Sequence, residues 1–244
     1  MLTENDLIRY SRQILFSEFG EGGQEKLKNA HVVVAGAGGL GSPVAINLAC
    51  AGIGHITIID DDQVELSNLN RQILHGEGDI GDKKVESARR SLAQLNSTIQ
   101  ITPVFTRISE DNVDNLIKGS QVVIDAMDNF ETRYILNGAS IKGKIPFIHG
   151  GIWGLTGEIT TIIPGETPCL ACIYPEIPLM ERPFPVFGVT PALIAALQAM
   201  EAIKLIANFG TLLKGKMLYA DGNDMEINTI EVERNPQCRV CGEG

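Results

Sequence analysis

Residues 31–60, HVVVAGAGGLGSPVAINLACAGIGHITIID, decide the fold. His31 to Ala35 is a short β-branched apolar run, the composition of a strand buried on both faces. A glycine cluster from Gly36 to Gly41 follows, and Ser42 with Pro43 opens a helix that runs to about Ala51. Proline is harmless there, because the N–H groups of a first helical turn have no intrahelical partner. His55 to Ile59 is a second buried-type strand, and it ends at Asp60. Strand, glycine turn, helix, strand and acid make the opening of a doubly wound α/β unit. Gly36, Gly38 and Gly41 give the G-x-G-x-x-G spacing, to which Gly39 adds a further glycine. Such a turn brings a pyrophosphate against backbone N–H groups at a helix N-terminus. Asp60 stands where a carboxylate accepts from ribose hydroxyls. Ser42 and Pro43 occupy the places where a Walker A loop needs Lys and Ser or Thr, so the loop is of another kind.

Outward from this stretch the alternation continues. Residues 81–95 read as a helix, 101–106 and 121–125 as strands, 131–142 as a helix and 145–149 as a strand. In the last third, 157–163 and 218–232 hold strand candidates with polar alternation, which suits an antiparallel extension. Residues 175–185 carry four prolines and read as a mobile surface loop without a regular element. Residues 190–208 form a long apolar helix with Pro191 in its first turn. Upstream, residues 1–29 read as a polar helical arm interrupted at Ser17, Phe19 and the glycines of 20–23. The expected organisation is one domain, 1–244. It comprises the arm (1–29), a nucleotide-binding core (30–150) and a metal-bearing extension (151–244). The expected fold class is α/β: a doubly wound, mixed, mostly parallel Rossmann-like sheet with an antiparallel extension and a four-cysteine zinc site.

Composition narrows the function. The 244 residues carry a net charge of -10, the wrong sign for a nucleic-acid binder, and no basic run appears. Hydrophobic residues at 44% are too many for a disordered chain. The first fourteen residues lack an apolar core with a cleavage site, and the longest apolar stretches look strand-sized, well short of a membrane span. A soluble cytoplasmic protein without membrane association is expected.

The glycine loop alone suits a nicotinamide or flavin enzyme as well as a nucleoside triphosphate enzyme. Residues 66–72, LSNLNRQ, break the tie together with Lys84. Asn70, Arg71 and Lys84 bring amide and positive charge to one edge of the sheet, as a site for several phosphates requires. Asp128 follows the 121–125 strand, at the carboxyl end where ligands bind, and a carboxylate there can hold Mg²⁺. Asp125 is the competing acid and reads as structural. Cys169 and Cys172 form one C-x-x-C pair, and Cys238 and Cys241 another. Four thiolates so spaced are the pattern of a closed structural zinc site. The remaining thiol, Cys50, reads as buried and inert in the helix behind the glycine loop.

Together, GAGGLG, LSNLNRQ, Lys84, Asp128-Asn129 and the two C-x-x-C pairs resemble the ubiquitin-activating E1-like adenylyltransferases in their bacterial and archaeal branch. Members of that branch serve molybdopterin and thiamin biosynthesis. The resemblance spans nearly the whole chain and includes Arg12 in RYSRQI and the helix ending LQAMEAIKLI. It implies ATP-dependent adenylylation of the C-terminal Gly-Gly carboxylate of a small ubiquitin-like sulfur-carrier protein, with release of pyrophosphate. It further implies that Asp60 binds ribose and that Gly36, Gly38, Gly39 and Gly41 approach the nucleotide. Asn70, Arg71 and Lys84 would contact phosphates, and Asp128 would hold Mg²⁺. Arg12 would reach into the partner subunit's site, which makes the protein a homodimer. Relatives often carry a cysteine before the long apolar helix, and the matching PFPVFGV, residues 183–189, has none. A covalent thioester is therefore not expected, and sulfur would come from a separate donor. The competing readings are an E1-like enzyme acting on another carboxylate, such as a peptide or a modified tRNA base, and a non-catalytic nucleotide-binding scaffold. A dehydrogenase lacks an evident catalytic His or Tyr–Lys arrangement.

Overall fold

The structure is a computed structural model and describes residues 1–178 and 183–242. Its centre is an eight-stranded sheet in the order β3-β2-β1-β4-β5-β6-β7-β8. The strands are β1 (His31–Ala35), β2 (His55–Asp60), β3 (Gln100–Phe105), β4 (Val122–Asp125), β5 (Phe147–Trp153), β6 (Thr156–Ile162), β7 (Lys216–Asp221) and β8 (Glu226–Glu231). Strands β3, β2, β1, β4 and β5 are parallel, and β6, β7 and β8 continue the sheet antiparallel. This is the mixed, mostly parallel sheet with an antiparallel extension that the sequence predicts.

Helices cover both faces. In chain order they are α1 (Glu4–Arg9), α2 (Ser11–Ile14), α3 (Gly20–Lys28), α4 (Gly41–Ala51), α5 (Lys84–Leu95), α6 (Val113–Ile117), α7 (Phe130–Gly143), α8 (Leu170–Ile173) and α9 (Val189–Ala207). Helices α3, α4, α5 and α9 share a core with Val32, Val34, Ile56 and Ile58 on one face. Helices α6, α7 and α8 pack with Val33, Ala35, Val123 and Phe147 on the other. Residues Val32 to Ala35 and Val122 to Asp125 are wholly buried, so both strands lack polar alternation. Each buried Val or Ile there contributes roughly 1.5–3 kcal/mol.

The chain runs outward through β1, β2 and β3, then returns to place β4 on the other side of β1. The crevice between β1 and β4 is thus the topological switch point, where open α/β sheets bind ligands.

Several boundaries differ from the sequence reading. The glycines at 20–23 do not break the arm but lie within α3, where a side chain at Gly23 would collide with the Phe19 ring at 2.5 Å. Helix α5 starts at Lys84, because residues 77–79 form a separate 3-10 turn. Strand β5 runs on to Trp153, since all seven of its residues pair with β6 in a hairpin. Helix α6 adds a short element that the sequence reading left out. Between 175 and 185, residues 179–182 lie outside the described residues, and the rest form no helix or strand.

The expectation that apolar stretches stay well short of a span needs correction. Helix α9 has 19 residues with a mean hydropathy of 1.5 over its most apolar window, enough by length and composition to cross a membrane. It packs instead against α3, α4, β5 and β6 as a core helix.

Candidate functional site

The glycine loop is built by two close approaches. Gly36 has φ +108°, and a side chain there would lie 2.6 Å from the Ala126 carbonyl oxygen. A side chain at Gly41 would fall 1.9 Å from the Gly36 carbonyl oxygen. Both positions therefore need glycine for the turn itself. Gly38 and Gly39 meet no such obstacle, and the space a Cβ would take there faces a cleft of about 1020 Å³. His75 braces the turn from behind: it is buried, with Nε2 3.1 Å from the Ala37 carbonyl oxygen and Nδ1 2.8 Å from Ser87 Oγ. Burial pushes its pKa down, so the imidazole stays neutral.

The cleft runs along the carboxyl ends of the parallel strands from β2 to β5, the amino end of the antiparallel β6 and Tyr219 of β7. Asp60, at the end of β2, accepts from the Ala37 N–H at 2.7 Å and from the Asp62 N–H at 2.8 Å. Burial raises its pKa, against the pull of the Lys84 charge and of these two donors. Lys84, almost fully buried, donates to Asp62 Oδ2 at 2.8 Å. Arg71 lines the cleft beside Gly39, held by the Ser67 carbonyl and by Asn70 Oδ1, each at 2.9 Å. Asn70 thus orients Arg71 but is itself not among the cleft-lining residues. Gln72 does line it, and its buried Oε1 has no hydrogen-bond partner among the described residues. An acceptor left in that state beside an open glycine turn suits a ligand that donates.

Asp128 is exposed at the mouth of the β4 end, and its neighbours are fixed. Asn129 caps α7 through Oδ1, which accepts from the Thr132 N–H at 2.8 Å. Arg133 grips the Met127 carbonyl oxygen with Nε at 3.2 Å and Nη2 at 2.6 Å. Asp125 is wholly buried and pairs with His149, so it is the structural acid of the two.

The structure therefore brings Gly36, Gly38, Gly39, Asp60, Arg71, Lys84 and Asp128 to one cleft, with Gly41 directly beneath it. Arg12 is not among them. Its neighbour Gln13 donates to the Ala51 carbonyl at the far end of α4, and eleven helical residues put that end about 16 Å from the loop.

Beneath the cleft lies a network that the sequence reading missed. His149 Nδ1 and Asp125 Oδ2 are 2.6 Å apart, and His149 Nε2 lies 3.4 Å from Glu158 Oε1. On the other face, Gln198 of α9 donates to the carbonyl oxygens of Asp125 at 2.8 Å and Ile148 at 3.2 Å. It spans the point where β4 and β5 stop pairing.

The four paired cysteines converge on the lower edge of the second core. Cys169 and Cys238 Sγ are 3.7 Å apart, Cys172 and Cys241 Sγ are 3.4 Å apart, and all four sulfurs lie within 4.8 Å of one another. A tetrahedron of sulfurs about 2.3 Å from a zinc ion has edges of about 3.8 Å, so the cluster has the dimensions of a metal site. Burial pushes the Cys169 thiol up, whereas N–H donors from Cys241 and Val240 outweigh burial at Cys238 and bring it to about 7. Cys50 contradicts its reading as a buried thiol. It is exposed, because it lies on the outer side of the last turn of α4.

A doubly wound fold with this cleft defines a nucleotide-binding α/β protein with a four-cysteine cluster of the dimensions a metal requires. Residues 10–240 match the ThiF family, and the chain belongs to it. It is 43% identical to the SAMP-activating enzyme E1 of Haloferax volcanii, an alignment that covers 100% of this chain and 92% of that protein. It is 42% identical to the adenylyltransferase and sulfurtransferase MOCS3-1 of Drosophila pseudoobscura pseudoobscura, covering 98% of this chain but only 54% of that longer protein. Among solved structures, E. coli MccB with ATP superposes with a TM-score of 0.86 at 30% identity, over 96% of this chain and 74% of that one. The chain is an adenylyltransferase of this family.

Proposed function

We propose that the chain adenylylates the C-terminal glycine carboxylate of a small ubiquitin-like sulfur-carrier protein, in molybdopterin or thiamin biosynthesis or another sulfur-transfer route. One observation carries the reading. A single cleft joins a nucleotide end, with Gly38, Asp60, Arg71, Lys84 and Asp128, to a second end between Trp153 and Tyr219. Its length suits a nucleotide at one end and an extended peptide tail at the other.

A carboxylate oxygen of the tail attacks the α-phosphorus of ATP, and the bond from that phosphorus to the bridging oxygen of pyrophosphate breaks. The attacking group is already ionised, so no side chain need take a proton. Asp60 accepts from ribose hydroxyls, and the Gly38–Gly39 backbone leaves the phosphates room to approach. Arg71 and Lys84 offset the charge that gathers on the departing pyrophosphate, and Asn70 holds Arg71 in place. Asp128 would hold Mg²⁺, which when bound neutralises phosphate charge. The four cysteines would hold a structural zinc ion, since four thiolates complete the tetrahedral set that zinc prefers. In domain terms residues 1–244 act as one unit, with the partner bound by 151–244, and the protein works in the cytoplasm with a separate sulfur donor.

Arg12 belongs to the site of a second copy. Helix α9 leaves Val189, Leu193 and Met200 exposed along one side, and the arm leaves Leu15 and Phe16 exposed near its far end, where Phe16 meets Phe209. A two-fold partner covering that strip would bring Arg12 across the boundary.

The test is ATP–pyrophosphate exchange with a ubiquitin-fold carrier ending in Gly-Gly. Exchange should depend on the carrier, and Asp128→Asn should lower it at least about 100-fold without shifting the melt. Near-normal exchange in the variant removes Asp128 from the site. Equal exchange with a short peptide of the same last residues would point to a peptide-modifying enzyme instead.

A further inference from the structure

Glu158 is a cleft carboxylate that the reaction above does not use. It stands on β6 opposite Gly151 of β5, and a side chain at Gly151 would come within 2.9 Å of its Oε1, so the glycine makes its seat. Oε1 accepts from the Tyr174 hydroxyl at 2.5 Å and faces His149 Nε2 at 3.4 Å. His149 is wholly buried, and Asp125 holds its other nitrogen. Arg133 Nε lies 3.6 Å from the same Asp125 oxygen. Burial opposes a charge on His149, but its bonds to Asp125 and Glu158 outweigh burial and raise its pKa. Burial likewise opposes ionisation of Glu158, and the His149 bond overcomes it, lowering that pKa. Two carboxylates and two cations then balance. Among the described residues both contacts of Glu158 fall on Oε1, and neither uses Oε2; the residue itself lines the cleft.

An ionised carboxylate only accepts hydrogen bonds. Phosphate oxygens also only accept, and β6 lies three strand positions from β1, about 14 Å from the glycine loop at ordinary spacing. The ribose acceptor, Asp60, is farther still along the sheet. What reaches this end of the cleft, beside Trp153 and Gly157, must offer donors. A glycine tail has no side chains, and its donors are its backbone N–H groups. Two strand positions, about 10 Å, separate β6 from the β4 end where Asp128 sits. That is the reach of the last few residues of an extended chain.

We infer that Glu158 determines specificity for the carboxylate substrate, with Oε2 accepting the backbone N–H of one of the last two glycines of the incoming tail. The inference rests on the adenylation reading and names how that site holds its second substrate. A tail with proline at those positions has no such donor and binds poorly.

The experiment is a cycle between Glu158→Ala and a carrier whose two terminal glycines are replaced by N-methylglycine through chemical ligation. Glu158→Ala is expected to raise the half-saturating concentration of the normal carrier about tenfold and to leave that of ATP within about twofold. N-methylation is expected to cost the unmutated enzyme about tenfold and the variant nothing further. Glu158→Gln, which keeps the shape and an acceptor but not the charge, should fall between them. It replaces Glu158→Ala in the cycle if that variant loses its cooperative melt. An unchanged carrier requirement, a change in the ATP requirement instead, or a full N-methyl penalty in the variant each overturns the inference. Absence of carrier-dependent exchange by the unmutated enzyme overturns the adenylation reading itself.

Discussion

The two halves of the sheet are held by different means. From β3 to β5 the strands are parallel, the central ones are buried on both faces, and hydrophobic packing supplies the stability. From β6 to β8 burial fades strand by strand, until every residue of β8 is exposed. A hairpin so open is marginal alone. The four-cysteine cluster brings the segment that follows β8 to α8 and its N-cap, Cys169. One end of the cleft thus rests on a core, whereas the other, on the proposed reading the carrier end, relies on the four-cysteine cluster. The proposed nucleotide residues fall on one side of that line, because Asp60, Arg71, Lys84 and Asp128 all belong to the first half.

Removing the metal should separate the halves most strongly. Purified protein should hold one zinc ion per chain, and Cys172→Ser or chelation should lower the melting temperature by about 10 °C. Amide exchange should rise first in β7 and β8 while ATP binding persists. Simultaneous loss of ATP binding and of all protection would show that the halves are not separable, and a folded, active protein without metal would exclude a metal clip there. The next effect concerns whether a site is complete within one chain. Inactive Arg12→Ala and Asp128→Asn proteins, mixed in equal amounts, should recover about a quarter of normal exchange. Half the dimers are then mixed, and each of those has one intact site. No recovery, with subunit exchange demonstrated, contradicts action across the dimer. The smallest expected effect is at Cys50. It is exposed but lies at the far end of α4 from the glycine loop. Cys50→Ala should keep exchange within about twofold, and no thiol-sensitive enzyme–carrier band should form on a non-reducing gel. An adduct mapped to Cys50 or to a metal-site cysteine would mean that the carrier tail reaches beyond the cleft.

The same division governs what could be read from the sequence. Strands β1, β2 and β4 are legible because burial on both faces demands an unbroken apolar run, and Gly36 and Gly41 because backbone crowding demands their type. The C-x-x-C pairs are legible because ligand spacing is local. The network of Asp125, His149 and Glu158 is not, for it forms only when β5 turns back on β6 and brings Glu158 diagonally across to His149. Gln198 and His75 look like ordinary polar residues in helix and loop until the carbonyls they bind are placed. The exposure of Cys50 is not legible because α4 is apolar nearly throughout, and which side of its last turn faces solvent depends on how the arm and α9 pack.

Helix α9 also poses a problem of synthesis. A nascent segment of its length and hydropathy is what membrane-insertion machinery accepts. Glu201 and Lys204, in its later turns, weaken that signal, and the order of translation weakens it further. Helices α3 and α4 and strands β5 and β6, the surfaces it packs on, are all encoded upstream. The landing site has therefore left the ribosome before α9 emerges, and the helix can dock as it appears.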